Sequence, residues 1–205
     1  MKLNGFDRIA FIYDLLASLI FRKEITESQK YFLNKIPDYS KVLMLGGGTG
    51  WLLAELLKRK PNCEVWYIDA SEKMISLSKS RIETGHTVHF IHGTEQDTPA
   101  SINYDVVITN FYLDLFTDHQ LTEILNKILR SMKPGAHWIA TDFIDNKKWW
   151  QGMMLKMMYW FFRITCNIES HQLPEWDKSM EKVGLKEIGS KTFYRGFIKT
   201  TLYQV

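Results

Sequence analysis

Cysteine is scarce in this chain: two residues in 205. Cys63 and Cys166 lie far apart and match no zinc or redox spacing, which excludes a disulfide framework or a cysteine metal cage and suits a reducing cytoplasm. No metal is expected. Long runs of one charge are missing too. The 26 basic and 23 acidic residues leave a formal net charge of +3, and clusters such as Lys58-Arg59-Lys60 and Lys147-Lys148 are too short for a nucleic-acid arm. No nucleic-acid partner is expected. The apolar stretch from Ile9 to Phe21 carries Asp14, follows Asp7 and Arg8, and lacks a small-residue cleavage site, so it does not read as a secretory signal. It also falls short of the ~20 residues that a spanning helix needs. No internal repeat or low-complexity tract interrupts the chain.

What is present suffices for a sizeable core: 45% of the residues are hydrophobic, and the length suits a single domain over 1–205. Phe6, Ile9, Ile12, Tyr13, Leu16, Leu19 and Ile20 recur at helical spacing, which predicts an amphipathic N-terminal helix acting as a flap over a larger body. Thr26-Glu27-Ser28-Gln29 has the form of a capping box, predicting a second helix that runs to about Ile36. From Lys41 the pattern becomes short apolar runs alternating with helical stretches, the signature of a mainly parallel sheet. The strands are expected at Val42-Leu45, Val65-Ile68, Val88-Ile91, Asp105-Thr109 and Trp138-Thr141. Helices are expected from Trp51 to Lys60, from Glu72 to about Glu83 behind a Ser71 cap, and from Asp118 to Ser131 behind a Thr117–Gln120 capping box. Lys133-Pro134-Gly135 should turn the chain into the fifth strand. Beyond Pro174 come a helix, a Gly184 cap and a hairpin of Leu185–Phe193 with Phe197–Gln204. The fold class is therefore α/β: a Rossmann-like, doubly wound, seven-stranded sheet, mostly parallel with an antiparallel C-terminal hairpin strand. Its parts are a helical flap (1–37), a ligand-binding core (38–143), an apolar helical insertion after strand five (144–175) and a C-terminal helix and hairpin (176–205).

The first expected strand runs directly into Gly46-Gly47-Gly48-Thr49-Gly50 and then a helix, so backbone N–H groups face a ligand beside a helix N-terminus. A tight strand-to-helix turn alone can also require glycine. Asp69 ends the next expected strand about twenty residues on, where a carboxylate can accept both hydroxyls of a ribose or simply cap a helix. A dinucleotide fingerprint, G-x-G-x-x-G, would need glycine where Trp51 stands, whereas G-x-G-x-G fits Gly46, Gly48 and Gly50.

From Val42 to Phe143 these motifs, in this order, resemble the class I S-adenosylmethionine-dependent methyltransferases, as does the phrase Leu129-Arg130-Ser131-Met132-Lys133-Pro134-Gly135 before a strand ending Asp142-Phe143. The resemblance implies S-adenosyl-L-methionine as cofactor. Gly46, Gly48 and Gly50 would hold its methionine part and Asp69, with Ala70 beside it, the ribose. Thr94, Glu95, Asn110 and Phe111 would flank the adenine, with Met74 packed on it unless Met74 is plain core. Tyr13 would close over the cofactor or acceptor, or merely pack. Phe6-Asp7-Arg8-Ile9-Ala10 with Tyr13-Asp14, together with the glycine loop, is similar to the ubiquinone and menaquinone C-methyltransferases, which implies a quinol, phenol or lipid-like acceptor. Two positions depart from the family pattern: Met44 stands where an acid usually precedes the glycine loop, and Thr94 where an acid usually follows the third strand.

Methyl transfer from a sulfonium is an in-line displacement, so alignment and exclusion of water matter more than a base. The candidates for a base are Asp114 and His171; a lone histidine is more often structural or at the surface. The 149–163 stretch, Trp149 to Arg163, is apolar on nearly every face and needs cover or a greasy ligand. Its readings are a lid over a small apolar or aromatic acceptor, a buried or homodimer helix, or a peripheral membrane contact of a cytoplasmic protein. Two competing functions remain: a non-catalytic S-adenosylmethionine-binding regulatory or scaffold subunit, and a polyamine synthase-like aminopropyl transferase, whose acid-rich fourth-strand motif Thr109-Asn110-Phe111-Tyr112 lacks.

Overall fold

The computed structural model describes residues 23–166 and 172–205. Its strands are β1 (Lys41–Leu45), β2 (Glu64–Asp69), β3 (Thr87–His92), β4 (Tyr104–Asn110), β5 (Met132–Phe143), β6 (Lys186–Phe193) and β7 (Ile198–Gln204). Its helices are α1 (Lys23–Lys30), α2 (Trp51–Arg59), α3 (Glu72–Ser80), α4 (Asp118–Leu129), α5 (Trp149–Cys166) and α6 (Trp176–Lys182). One sheet holds all seven strands in the order β3-β2-β1-β4-β5-β7-β6. β1 to β5 are parallel, and β7 enters antiparallel to β5 with β6 antiparallel beside it. Because the strand order reverses between β1 and β4, a crevice opens outside the carboxyl ends of those strands.

Period-two alternation divides the sheet's side chains between two apolar layers. Val42 and Met44 of β1 point toward Leu52, Leu53, Leu56 and Leu57 of α2 and Ile75 of α3. Leu43 and Leu45 point the other way, into a layer with Leu121, Ile124, Leu125 and Ile128 of α4 and Trp176 and Met180 of α6. Each such buried leucine or isoleucine stabilises the fold by ~1.5–3 kcal/mol. Trp138 of β5 lies fully buried, and its indole N–H donates to Thr109 Oγ1 at 2.9 Å, so the polar edge of this large core side chain is satisfied.

The helix starts expected at Ser71 and Thr117 are present. Ser71 Oγ accepts from Met74 N at the start of α3, and Thr117 and Gln120 form a reciprocal capping box at α4. Gly184, at φ +94°, ends α6 while Leu185 N donates to Met180 O and Gly184 N to Glu181 O, the paired bonds of a Schellman turn. Three expectations are corrected. Thr26 lies inside α1, where its hydroxyl donates to Lys23 O rather than capping a helix start; α1 ends at Lys30 and a separate 3-10 turn covers Leu33–Lys35. α3 ends at Ser80, closed by Arg81 N donating to Ser78 O. β5 begins at Met132, before Lys133-Pro134-Gly135: Met132 pairs with Tyr104 and His137 with Val106, so the intervening residues bulge out of register through Gly135 at φ +77°. The expected flap helix from Phe6 to Ile20 lies outside the described residues.

Candidate functional site

The glycine loop is fastened from below. Gly48 N donates to Asp69 Oδ2 at 2.8 Å, and Gly48 O accepts from the Tyr67 hydroxyl at 2.7 Å and from Ser78 Oγ at 3.1 Å. Ser78 Oγ also lies 2.7 Å from the Tyr67 hydroxyl, so β1, β2 and α3 are joined under one peptide unit. Gly50 takes φ +76°, and a Cβ there would fall 2.6 Å from Ser78 Cα, a backbone atom that cannot swing away. At Gly48, φ +65°, a Cβ would meet nothing within 4 Å. The loop is thus tight on its inner side and open on its outer side, a cradle that a ligand's atoms can enter. Burial raises the Tyr67 hydroxyl far above its ordinary range, so it remains a neutral donor.

Asp69 closes β2 at the same end of the sheet. Besides the bond from Gly48 N, its Oδ1 accepts from Ser71 N at 2.9 Å, which fixes the carboxylate between the loop and the start of α3. Ala70 is half-buried beside it and Met74 is buried in the first turn of α3. Across the crevice, Thr94 starts a 3-10 turn: its hydroxyl accepts from Gln96 N, and Asp97 accepts from Thr94 N. Glu95 points inward, buried, and accepts from the Tyr112 hydroxyl at 2.6 Å. Burial and the Glu95 charge push the Tyr112 phenol well up, keeping the proton on oxygen.

At the ends of β4 and β5 the lining turns apolar around an acid pair. Phe111, at φ +50°, packs on Phe143 with ring centroids 5.0 Å apart, and Tyr159, Met154 and Met158 of α5 join the same cluster. Beneath them Asp142 Oδ2 accepts from Leu113 N and Asp114 N, and its Oδ1 from Phe143 N. Asp114 is also buried; the Tyr159 hydroxyl donates to its backbone carbonyl, while its own Oδ1 and Asn110 Oδ1 have no partner among the described residues. Burial raises both acids, Asp114 to about 7 and Asp142 further through its neighbour's charge. The pair therefore holds a shared proton.

A family profile described as a methyltransferase domain matches residues 42–135, which span the glycine loop, Asp69 and the β4 end. A demethylmenaquinone methyltransferase of Thermotoga maritima is 33% identical over 68% of this chain and 60% of its own length. The chain carries the fold and the motifs of the class I S-adenosylmethionine-dependent methyltransferases. A carboxy-S-adenosyl-L-methionine synthase of Nautilia profundicola is 29% identical over 69% of this chain and 63% of its own length. The chain thus spans about three-fifths of these curated relatives. A chain from the solved complex of the Haloferax volcanii Trm112 methyltransferase activator with a methyltransferase shares the fold at TM-score 0.74 and 17% identity, over 97% of this chain and 96% of that one. Methyltransferases with S-adenosylmethionine or S-adenosylhomocysteine bound are among the similar folds.

Gly46, Gly48, Gly50, Asp69, Ala70, Met74, Thr94, Glu95, Asn110 and Phe111 all gather at the carboxyl ends of β1 to β4, the end at which the crevice opens. Met44, in the usual acid position, is buried among leucines of α2, and Glu95 rather than Thr94 points into the crevice. Tyr13 and His171 lie outside the described residues. Sequence reading missed Tyr67, Ser78 and Asp142. A tyrosine and a serine inside regular elements carry no sign of which backbone group they will reach; Asp142, an acid ending an apolar strand, was the visible signal.

Proposed function

We propose that this methyltransferase moves a methyl group from S-adenosylmethionine to a small, largely apolar acceptor such as a quinol, phenol or lipid-like compound. The observation that carries the reading is the change of lining across one crevice: fixed polar groups on β1 and β2, then aromatic walls around a buried acid at β4 and β5. When bound, S-adenosylmethionine supplies a methyl group on a sulfonium that an aligned nucleophile can take. The open side of Gly48, the fixed Asp69 carboxylate and the unpartnered Asn110 Oδ1 fit a nucleoside with a polar tail. Gly46, Gly48 and Gly50 would hold the amino-acid end, Asp69 the ribose, and Met74, Glu95, Asn110 and Phe111 the adenine.

Phe111, Phe143 and Tyr159 would seat an apolar ring and exclude water, which suits a displacement that gains mainly from alignment. Asp114, poised near neutrality, would take the proton of an acceptor hydroxyl or ring carbon, a contribution of ~10² to 10⁴-fold. The 144–175 segment would serve as the lid and 1–37 as the flap. The likeness to a carboxy-S-adenosylmethionine synthase supports a second reading, in which the cofactor itself is the compound altered. Calorimetry with S-adenosylhomocysteine tests the shared step: Asp69→Ala should weaken binding by at least ~tenfold, the weight of one charge-assisted hydrogen bond. No binding by the folded native chain would refute both readings. Mass analysis of the products, a methylated acceptor or a modified cofactor, separates one from the other.

A further inference from the structure

Helix α5 has two unlike sides. Gln151, Leu155 and Tyr159 are buried, and Trp150, Met154 and Met158 pack toward Phe143, Phe197 and Ile198. The opposite side carries Trp149, Met153, Met157 and Trp160, which are 81%, 60%, 55% and 65% exposed. Steps of four, four and three residues place them in one row, roughly 16 Å long at the rise of an α-helix. Soluble surfaces rarely leave a contiguous apolar strip without a partner.

The charges around the row decide what that partner is. Lys156 is exposed within it, and Lys147 and Lys148 precede it. Arg195, exposed in the turn between β6 and β7, stands beside its first turn: Lys148 Nζ donates to Arg195 O at 3.0 Å, and Trp150 meets Tyr194 edge-on at 5.9 Å. Between Asn146 and Ile168 the sequence contains no acidic residue. The acids nearby are engaged: Asp145 pairs with Lys147 at 3.2 Å, Glu24 accepts from Tyr194 N at 3.0 Å, and Glu175 pairs with Lys178 at 2.6 Å. Two indoles at the ends of a methionine row, with cations around it, match the chemistry of a lipid headgroup boundary. Indole rings settle at that depth, flexible thioethers reach the acyl edge and ammonium groups meet phosphates. A two-fold contact with a second copy would instead bring the same cations against one another.

We propose that the outward row of α5 seats this protein on an anionic lipid surface. The contact is peripheral, since no helix among the described residues is long and apolar enough to cross a membrane. It does not depend on the methyl-transfer reading, because the outward row lies on the side of α5 opposite the site.

Flotation of the full chain with phosphatidylglycerol-containing vesicles, against vesicles of phosphatidylcholine alone, tests this. Native protein should float with the anionic vesicles and be released by salt. Trp149→Ser combined with Trp160→Ser should lower the bound-to-free ratio at least ~tenfold. Lys147→Gln combined with Lys156→Gln, which leaves the apolar row intact, should do so at low salt by a similar factor. Circular dichroism and S-adenosylhomocysteine affinity should match the native chain in both variants. Equal binding to the two vesicle types, or native-like flotation of the tryptophan variant, overturns the proposal. So does a native dimer that ignores vesicles and is dissolved by the tryptophan substitutions, which would assign the row to a second copy. Failure of S-adenosylhomocysteine to bind the native chain would refute the cofactor reading and leave the flotation result to decide the lipid contact on its own.

Discussion

Replacing Asp114 by asparagine should make the protein more stable at neutral pH and remove part of its pH dependence. Asp114 is buried beside Asp142 and keeps its proton to about pH 7, whereas the unfolded chain releases it near ~3.9. The folded state therefore binds this proton more tightly than the unfolded state. Its stabilising effect is complete below about pH 4 and is lost as the pH rises through about 7. At ~1.4 kcal/mol per pH unit of separation, the folded state gives up ~4 kcal/mol by pH ~8, of which about 2 kcal/mol falls between pH ~5 and ~7. The asparagine amide would stand in for the neutral acid with nearly the same shape, and the Tyr159 bond would survive the change because it reaches only the backbone carbonyl. Urea unfolding of native and Asp114→Asn proteins across that range measures the effect as a difference, in which the exposed carboxylates cancel. The variant should gain on the native protein as pH rises. Two curves that stay parallel from pH ~5 to ~8 would show Asp114 already ionised in the fold and refute the shared-proton account.

The glycine loop offers a paired contrast. Gly50→Ala should cost ~2–4 kcal/mol in urea unfolding, from the left-handed backbone and the 2.6 Å approach to Ser78 Cα. Gly48→Ala should cost only ~1–2 kcal/mol, yet it should weaken S-adenosylhomocysteine binding measured by calorimetry, because its new methyl group occupies the open side of the cradle. Tyr112→Phe removes the hydroxyl 2.6 Å from buried Glu95 and should lower stability at neutral pH by ~1.5–3 kcal/mol, again by urea unfolding.

Much of this protein was legible in order along the chain. Alternating periods, the caps at Ser71 and Thr117, the Gly184 turn and the Leu185–Gln204 hairpin announce their elements because each is set by contacts a few residues long. The glycine loop and Asp69 could be placed for the same reason, as features of strand ends. Thr26 misled because a threonine hydroxyl bonds as readily to a carbonyl inside a helix as to an N–H at its start. Glu95, expected at the adenine, is already bonded to Tyr112, a partner seventeen residues on that no local pattern names.

The sequence by itself determined the sheet, its doubly wound order and the end at which ligands gather, since periodicity and right-handed crossovers leave few other arrangements. Tertiary structure alone decided which polar groups inside regular elements meet. Tyr67 and Ser78 find Gly48 O because β2 and α3 pack beneath the loop; Asp142 finds Asp114 because β5 lies beside β4; and α5 buries Leu155 and Tyr159 while leaving Trp149 and Trp160 outside. Those meetings depend on distances through space between residues far apart in the chain, and an apolar helix shows which side faces outward only once the body it packs against is in place.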